Sequence, residues 1–505
     1  MSVTTADPSS SRAIVSHLPP ALGQTIGLRA LTGWQDRESR PLPGRINTAT
    51  ASGGADMSGA LSGSRPNIVL IVLDDLGYGD LSWYGSPIGT PRVDAVARAG
   101  MTFRQAYAGA PICTPSRTAL LTGRYAQRVG LPQVLWPEED RGLPEFEHTV
   151  AEAMRAAGYA TGVFGKWHLG DPRLTGNPWD ARPRFLPSSH GFDHFCGIPY
   201  SNDQGWGDQQ WLPLYRGDAV AVDNVNTEQG QERLAGEYTD AAIAFIRRSV
   251  ARQLPFFAYV PHSCVHQPFH VPEETGGTDG RYPDVVREVD RQVGRLLDEL
   301  RALELVESTL VIVTSDNGPW FEGTTGGLRG RKTDPFEGGI RVPFVVRWPG
   351  RVPVAENRYP ISFVDVLPTL IDLAGAPPPP ADRPLDGISI APALAGEAMP
   401  RGRTLYFYGD LEEGPTGEVD PDWVWNVAAA RQDKWKLLWP ATVWPELGRE
   451  MLFDLETDPG ESTDVAAAHP LIRDSLAQRA RIFNDEILRG RAAAIERTRR
   501  HRAGG

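Results

Sequence analysis

Residues that could do chemistry cluster at a few widely separated places in this 505-residue chain. The first is Cys113-Thr114-Pro115-Ser116-Arg117, which opens the run CTPSRTALLTGRY over 113–125. Pro115 suits the first turn of a helix, because its missing N–H needs no partner there, and Thr114 before it is a fair N-cap. Ala119, Leu120 and Gly123 continue at helical spacing with small residues. Cys113 is therefore expected at a helix N-terminus, where free N–H groups and the helix dipole favour negative charge. Arg117, one turn in, adds a fixed cation. A lone cysteine at a helix start is more often inert packing than a reactive group, so its meaning depends on what else the chain brings to it.

The other polar candidates follow apolar runs. Residues 68–73 (IVLIVL) suit a strand buried on both faces of a parallel sheet, and Asp74 and Asp75 follow at once. Adjacent carboxylates repel unless protons or a cation intervene, which makes them candidate metal ligands. The strand-like run 160–164 leads into Gly165-Lys166-Trp167-His168-Leu169-Gly170, where Lys166 and His168 would share a side if the chain stays extended. The run 255–260 delivers Pro261-His262-Ser263-Cys264-Val265-His266-Gln267-Pro268. Histidines four apart suggest zinc on a helix, but the flanking prolines argue against a helix there. Residues 309–314 (TLVIVT) end in Ser315-Asp316-Asn317-Gly318, whose Asp and Asn offer hard oxygen ligands suited to calcium or magnesium. Four apolar runs that each end in such groups point to one assembled site, because ligand sites of open α/β sheets lie beyond the carboxyl ends of the strands.

Helices are expected at about 91–100, 149–157, 233–251, 283–303 and 363–375, with a further strand over 343–348. Val285, Val289, Val293, Leu296 and Leu300 give the 283–303 helix a core-facing stripe. Residues 171–235 read as long loops rich in Pro, Gly, Asp and Trp, with Trp206 and Trp211 able to form a flat platform for a ring. A proline-rich connector at 377–384 precedes a change of composition; 425–439 and 451–461 then read as two strands and a turn, with a helix over 469–490. The organisation expected is a disordered extension over 1–65, a main domain over 66–384, a smaller subdomain over 385–490 and a tail over 491–505.

Hydrophobic content of 41% and charged content of 23% are ordinary for a globular protein. A net charge of −12 disfavours nucleic acid and anionic membranes as partners, and an anionic substrate would need a local basic pocket. Three cysteines make no disulfide framework, and no apolar run reaches membrane-spanning length. Residues 1–65 hold no signal-peptide pattern, which gives a cytoplasmic expectation with export left open; Met57 is an alternative start. Heavy use of Ala, Arg, Gly and Pro fits a GC-rich bacterial genome.

The pentapeptide C-x-P-S-R with L-T-G-R after it resembles the maturation signature of the cysteine-type sulfatases, members of the alkaline phosphatase superfamily. DDLGYGDLSWYG (74–85) is similar to that family's N-terminal metal motif, and GKWHLG (165–170) to its second signature. HGFDHFCGIPYSNDQG (190–205) resembles a segment of arylsulfatase A and N-acetylgalactosamine-6-sulfatase relatives. His266 falls on the family's histidine before x-P, with His262 the runner-up. The family's S-D-N-G and K-x-x-x-x-E-G-G-x-R-x-P stretches match 315–318 and 332–343, and the resemblance spans about 66–485.

That resemblance implies an α/β fold: a large, mostly parallel sheet sandwiched by helices, with a smaller C-terminal antiparallel sheet plus helix. It implies that a formylglycine-generating enzyme oxidises Cys113 to formylglycine, whose hydrate carries two hydroxyls. One attacks sulfur; the other lets sulfate be eliminated and the aldehyde return. One calcium, or magnesium, would be held by Asp74, Asp75, Asp316, Asn317 and residue 113. Arg117, Lys166, Lys332 and Ser201 would stabilise sulfuryl charge, Asp316 would assist attack, His266 or Lys332 would protonate the leaving alcohol, and His168 would take the second hydroxyl's proton. The implied reaction is hydrolysis of aryl or carbohydrate sulfate monoesters. The competing readings are a phosphonate or phosphate ester hydrolase of the same superfamily, and an unmodified sulfated-glycan-binding module. Nothing in the sequence specifies an oligomeric state.

Overall fold

The most apolar run of the chain becomes the middle of its large sheet. The computed structural model describes residues 61–137, 139, 141–170, 185–205, 210–273, 281–409, 426–439 and 449–499. Nearly all of the expected N-terminal extension, Met57, Trp206 and residues 500–505 lie outside the described residues. In chain order the strands of this sheet are β1 (Asn67–Leu73), β2 (Met101–Tyr107), β3 (Ala160–Phe164), β4 (His194–Gly197), β5 (Leu214–Arg216), β6 (Ala219–Val222), β7 (Phe256–Pro261), β8 (Thr309–Ser315), β9 (Arg341–Arg347), β10 (Ala355–Asn357) and β11 (Ile361–Ser362). Across the sheet they run β10-β2-β9-β8-β1-β7-β3-β4-β5-β6, with β11 also on β2. From β8 through β1, β7 and β3 to β4 the pairing is parallel; β9 inserts antiparallel between β8 and β2.

Strand side chains alternate between faces, so a strand covered on both sides must be apolar throughout. In β1, Ile68, Leu70 and Val72 enter one core while Val69, Ile71 and Leu73 enter the other. The helices are α1 (Pro91–Arg98), α2 (Cys113–Thr122), α3 (Ala126–Val129), α4 (Val150–Ala156), α5 (Glu228–Ala251), α6 (Arg281–Ala302), α7 (Glu337–Ile340), α8 (Val366–Ala374), α9 (Ala391–Leu394) and α10 (Pro470–Arg499). On one face α1, α5 and α6 supply Val93, Phe245 and Val289. On the other α2, α4 and α8 supply Leu120, Met154 and Leu370. The expected α/β sheet sandwiched by helices is the fold observed. Among the described residues no helix is long and apolar enough to cross a membrane.

Several boundaries move for identifiable reasons. The helix expected from 233 begins at Glu228, because the Thr227 hydroxyl caps the Gly230 N–H. Thr149 and Glu152 form a capping box that starts α4. The segment 171–235 is not all loop: β4, β5, β6 and the start of α5 fall within it. The β5–β6 hairpin has little sequence signal because β6 is the edge strand, where no core pattern is needed and Ala219 and Val222 are both exposed, while β5 is only three residues long.

The C-terminal sheet has four strands where two were expected: β12 (Thr404–Tyr408), β13 (Val427–Gln432), β14 (Trp435–Leu438) and β15 (Met451–Asp454), all antiparallel. The run 425–439 folds back on itself at Asp433, whose left-handed backbone (φ 52°) makes a tight turn between two apolar halves. α10 covers this sheet through Leu476 and Ala480. Phe407, Leu438 and Phe453 pack against Tyr107, Phe336 and Ile340, which joins the small sheet to the edge of the large one.

Candidate active site

Parallel pairing in register brings the first polar groups together. Leu73 at the end of β1 lies opposite Ser315 at the end of β8, so Asp74-Asp75 and Asp316-Asn317 emerge side by side. The Asp316 N–H donates to the Leu73 carbonyl (2.9 Å) and the Asp75 N–H to Asp316 Oδ1 (3.1 Å). Asp75 has a left-handed backbone (φ 60°), which breaks strand alternation and turns consecutive carboxylates toward one centre. From β3, Gly165 lets the chain cross the end of β7: at its φ of 144° a Cβ would sit 1.8 Å from the Pro261 carbonyl oxygen. Lys166 follows directly and donates its N–H to that carbonyl (2.7 Å).

Cys113 is the first residue of α2 and is buried. The helix starts two residues earlier than a Thr114 cap implies. Ile112 is the N-cap residue, and the Thr114 hydroxyl instead donates to the His168 carbonyl (3.0 Å) while accepting the Leu135 N–H (3.2 Å). Cys113 Sγ lies 3.7 Å from Asp74 Oδ1 and 3.6 Å from Lys166 Nζ. Lys166 Nζ also reaches Asp74 Oδ2 (2.6 Å) and Ser201 Oγ (3.0 Å). Arg117 donates through Nε and Nη2 to Asp316 Oδ2 (3.0 and 2.8 Å) and through Nη1 to the Lys166 carbonyl (2.9 Å). Burial pushes the Cys113 thiol well above its usual range, more than Lys166 and Lys332 draw it down, so it stays protonated.

On the opposite side, Lys332 Nζ donates to Asp75 Oδ2 (2.8 Å) and lies 3.0 Å from His266 Nε2. His266 Nδ1 lies 2.7 Å from the Gln267 carbonyl, which only accepts, so Nδ1 carries the proton and Nε2 faces Lys332. His262, the alternative, is buried with no hydrogen bond at either ring nitrogen, and burial pulls it down to about 4. The structure therefore brings His266, not His262, to the site.

His168 departs from expectation in how it arrives. Its backbone is left-handed (φ 58°), so Lys166 and His168 do not sit two apart on an extended strand. His168 Nε2 bonds the Leu135 carbonyl (3.0 Å) and therefore carries the ring proton. Nδ1 is buried without a partner. Burial, aided by Lys166 and Arg117, holds this imidazole well below its ordinary value, so it is neutral with an open lone pair.

A hard cation fits among these groups. One oxygen each of Asp74 and Asp316 lies within 4.8 Å of Cys113 Sγ and of the other, and Asp75, Cys113 and His266 form a second such group. Asn317 donates through Nδ2 to Asp75 Oδ1 (2.7 Å), yet its buried Oδ1 accepts nothing. Burial would raise the Asp74 carboxyl, but Lys166 and Arg117 outweigh it and hold the group far below the usual range. Burial and the Asp74 charge push Asp316 up to about 7. Oxygen donors that crowd one another and an orphaned amide oxygen are what a calcium- or magnesium-type site requires. Arg117, Lys166 and Lys332 already balance the three carboxylates, so a divalent cation would leave the centre positive. That charge suits an anionic ester against the acidic field of the whole chain.

Residues 66–376, more than half of the chain, match the family described as Sulfatase. The chain belongs to the sulfatase family. Residues 332–480 of this sulfatase also match the family described as N-sulphoglucosamine sulphohydrolase, C-terminal. It is 37% identical over 462 residues to arylsulfatase A of Homo sapiens, covering 82% of this chain and 86% of that one. To N-acetylgalactosamine-6-sulfatase of Canis lupus familiaris it is 36% identical over 406 residues, covering 75% and 73%. The solved structure of Ps i-CgsB in complex with k-i-k-neocarrahexaose superposes with a TM-score of 0.72 at 27% identity, covering 83% of this chain and 93% of that one. The sulfatase is accordingly a hydrolase of sulfate esters.

The sulfatase's site uses residues that the sequence reading passed over. Ser116 donates to the Asp316 carbonyl and accepts the Gly109 N–H (3.2 Å), which ties α2 to the end of β8. Leu135 fixes the His168 tautomer through its carbonyl. The first could have been suspected from the C-x-P-S-R run itself; the second has no sequence signal, because a backbone carbonyl carries none. Trp211, one half of the suggested ring platform, contributes its carbonyl to the Tyr200 hydroxyl (3.2 Å). The other half, Trp206, lies outside the described residues.

Proposed function

We propose that this sulfatase cleaves aryl or carbohydrate sulfate monoesters with the hydrate of a formylglycine, made from Cys113 by a dedicated maturation enzyme, as the nucleophile. The observation that carries this reading is the placement of Cys113: a protonated, buried thiol wedged between Asp74 and Lys166 at a helix N-terminus. Such a thiol is a poor nucleophile, yet everything around it is arranged for chemistry at that position. Asp74, Asp75, Asp316 and Asn317 would hold one divalent cation, calcium or magnesium, with residue 113. When bound, that cation neutralises charge on the sulfuryl oxygens and acidifies a hydroxyl at residue 113.

The chain's own groups divide the remaining work. Lys166 and Lys332 hold the sulfuryl oxygens from two sides, with Ser201 beside Lys166. Arg117, bound to Asp316 and to the Lys166 carbonyl, keeps the acceptor Asp316 and the donor Lys166 at fixed positions. The Lys332–His266 pair delivers a proton to the departing alcohol. His168, with Nδ1 open and unprotonated, accepts the proton released when the second hydroxyl collapses and sulfate leaves.

Sulfate monoesters carry one negative charge and phosphate monoesters two, so relative turnover separates the sulfatase reading from its phosphonate or phosphate rival. Matured enzyme should hydrolyse 4-nitrophenyl sulfate with a kcat/KM at least about tenfold above that for 4-nitrophenyl phosphate or a phenylphosphonate ester, a difference of ~1.4 kcal/mol or more. The reverse order would overturn the reading.

The cation makes its own prediction. Stripping with a chelator should abolish turnover and lower the thermal midpoint, and calcium or magnesium should restore both. A ligand present at about 100 times its Kd stabilises the folded state by ~2.7 kcal/mol. Unchanged turnover in protein shown by elemental analysis to be metal-free would refute the proposed site.

A further inference from the structure

Lys332 sits on an irregular loop between β8 and α7, and a long flexible side chain places its ammonium no better than the loop is placed. This loop is strained. Thr333, a β-branched residue, has a left-handed backbone (φ 77°), a conformation that persists only where the surroundings over-determine it. In the middle, the Lys332 N–H donates to the Pro319 carbonyl (3.0 Å) and the Thr333 N–H to the Pro111 carbonyl (2.8 Å). The two ends are closed by the Gly338 N–H on the Arg329 carbonyl (2.6 Å).

Both ends are also gripped by one residue of the C-terminal region. Glu461 follows β15. Its backbone carbonyl accepts from Arg329 Nη1 (3.0 Å), and its Oε2 accepts the Glu337 N–H (2.6 Å). Lys436, on β14, lies 2.8 Å from Glu461 Oε1, an ion-pair separation without an aligned hydrogen bond, and 3.1 Å from Glu337 Oε1. Glu337 Oε2 accepts from the Tyr107 hydroxyl (2.7 Å). Glu337, Lys436 and Glu461 are each 0% exposed. Buried ion clusters are weak contributors to net stability, and their best-attested use is to specify one geometry.

We propose that Glu461, held by Lys436, is a positioning residue that sets Lys332 in the active site from the C-terminal sheet. Glu461 touches neither Cys113 nor any carboxylate of the metal group, so it acts through the loop alone. The proposal rests on the reading of Lys332 as a group that contacts the ester, and the test separates the two.

The test is a double-mutant cycle of Glu461→Ala and Lys332→Ala, read as kcat/KM on 4-nitrophenyl sulfate. Glu461→Ala alone should lose about tenfold or more, and in the Lys332→Ala background less than about twofold further. A merely structural seam between the sheets would cost the same factor in both backgrounds, and that result would overturn the proposal. If Lys332→Ala alone leaves activity unchanged, the reading of Lys332 fails and the proposal with it, and the single variant alone shows this. Should Glu461→Ala fail to fold, Glu461→Asp completes the same cycle, because it keeps the charge but withdraws the acceptor from the Glu337 N–H; the same two outcomes decide.

Discussion

Cys113→Ala and Cys113→Ser enzymes will fold as the wild type does and lose turnover by roughly four to six orders of magnitude. Neither side chain can become an aldehyde, so neither can present the two hydroxyls that the cycle requires. The serine variant is the sharper case, because its hydroxyl would lie where the thiol lies, between Asp74 and Lys166. A single attacking hydroxyl gives at most one sulfuryl transfer with no route to release. Folding should hardly notice either change. The thiol makes only long contacts with its neighbours, so a loss of about 1 kcal/mol would shift the thermal midpoint by only about 2 °C. Kinetics on a slow aryl sulfate together with thermal melts check both halves. Multiple turnovers by the serine variant at near wild-type rate would remove the aldehyde from the account.

Arg117→Ala is expected to damage both stability and catalysis. Arg117 is fully buried, donates twice to Asp316 and once to the Lys166 carbonyl, and has Nη2 3.5 Å from Asp74 Oδ1. Truncation strands a buried carboxylate and a buried carbonyl, which costs about 3–5 kcal/mol. That is a large share of a typical net stability of about 5–15 kcal/mol. The surviving folded enzyme should be slower by roughly 10²-fold, the loss expected when the groups that Arg117 holds, Asp316 and Lys166, are misplaced by about 1 Å. Arg117→Lys should rescue neither fully, since a single ammonium cannot serve the Asp316 carboxylate and the Lys166 carbonyl in the fork geometry of a guanidinium. Denaturant midpoints and single-turnover rates check the pair; a wild-type midpoint in Arg117→Ala would contradict this view of the buried network.

The site was legible in the sequence for a physical reason. A parallel strand covered on both faces must be apolar along its whole length, so β1, β3, β7 and β8 announce themselves, and polar residues at their carboxyl ends have one place to converge. What stayed hidden depends on backbone geometry or on distant partners. The left-handed turns at Asp75 and His168 decide where those side chains go, and Asp and His in a loop do not declare them. Thr114 reads as a helix cap by type, but it is spent on the His168 carbonyl. Choosing His266 over His262 needed the family motif, then the Lys332 contact. Strand β6 of the β5–β6 hairpin is largely exposed and shows no core pattern. Lys436 and Glu461 lie 99 and 124 residues from Glu337, with nothing periodic to join them.

Conversion of residue 113 to formylglycine leaves a signature in the mass of the protein. Peptide mapping across residue 113, on active protein made with the maturation enzyme present, should show a loss of about 18 Da relative to the encoded cysteine, as S–H and one hydrogen give way to a carbonyl oxygen. The modified fraction should track specific activity from one preparation to the next. Full turnover by protein whose residue 113 is entirely unmodified cysteine would contradict the account.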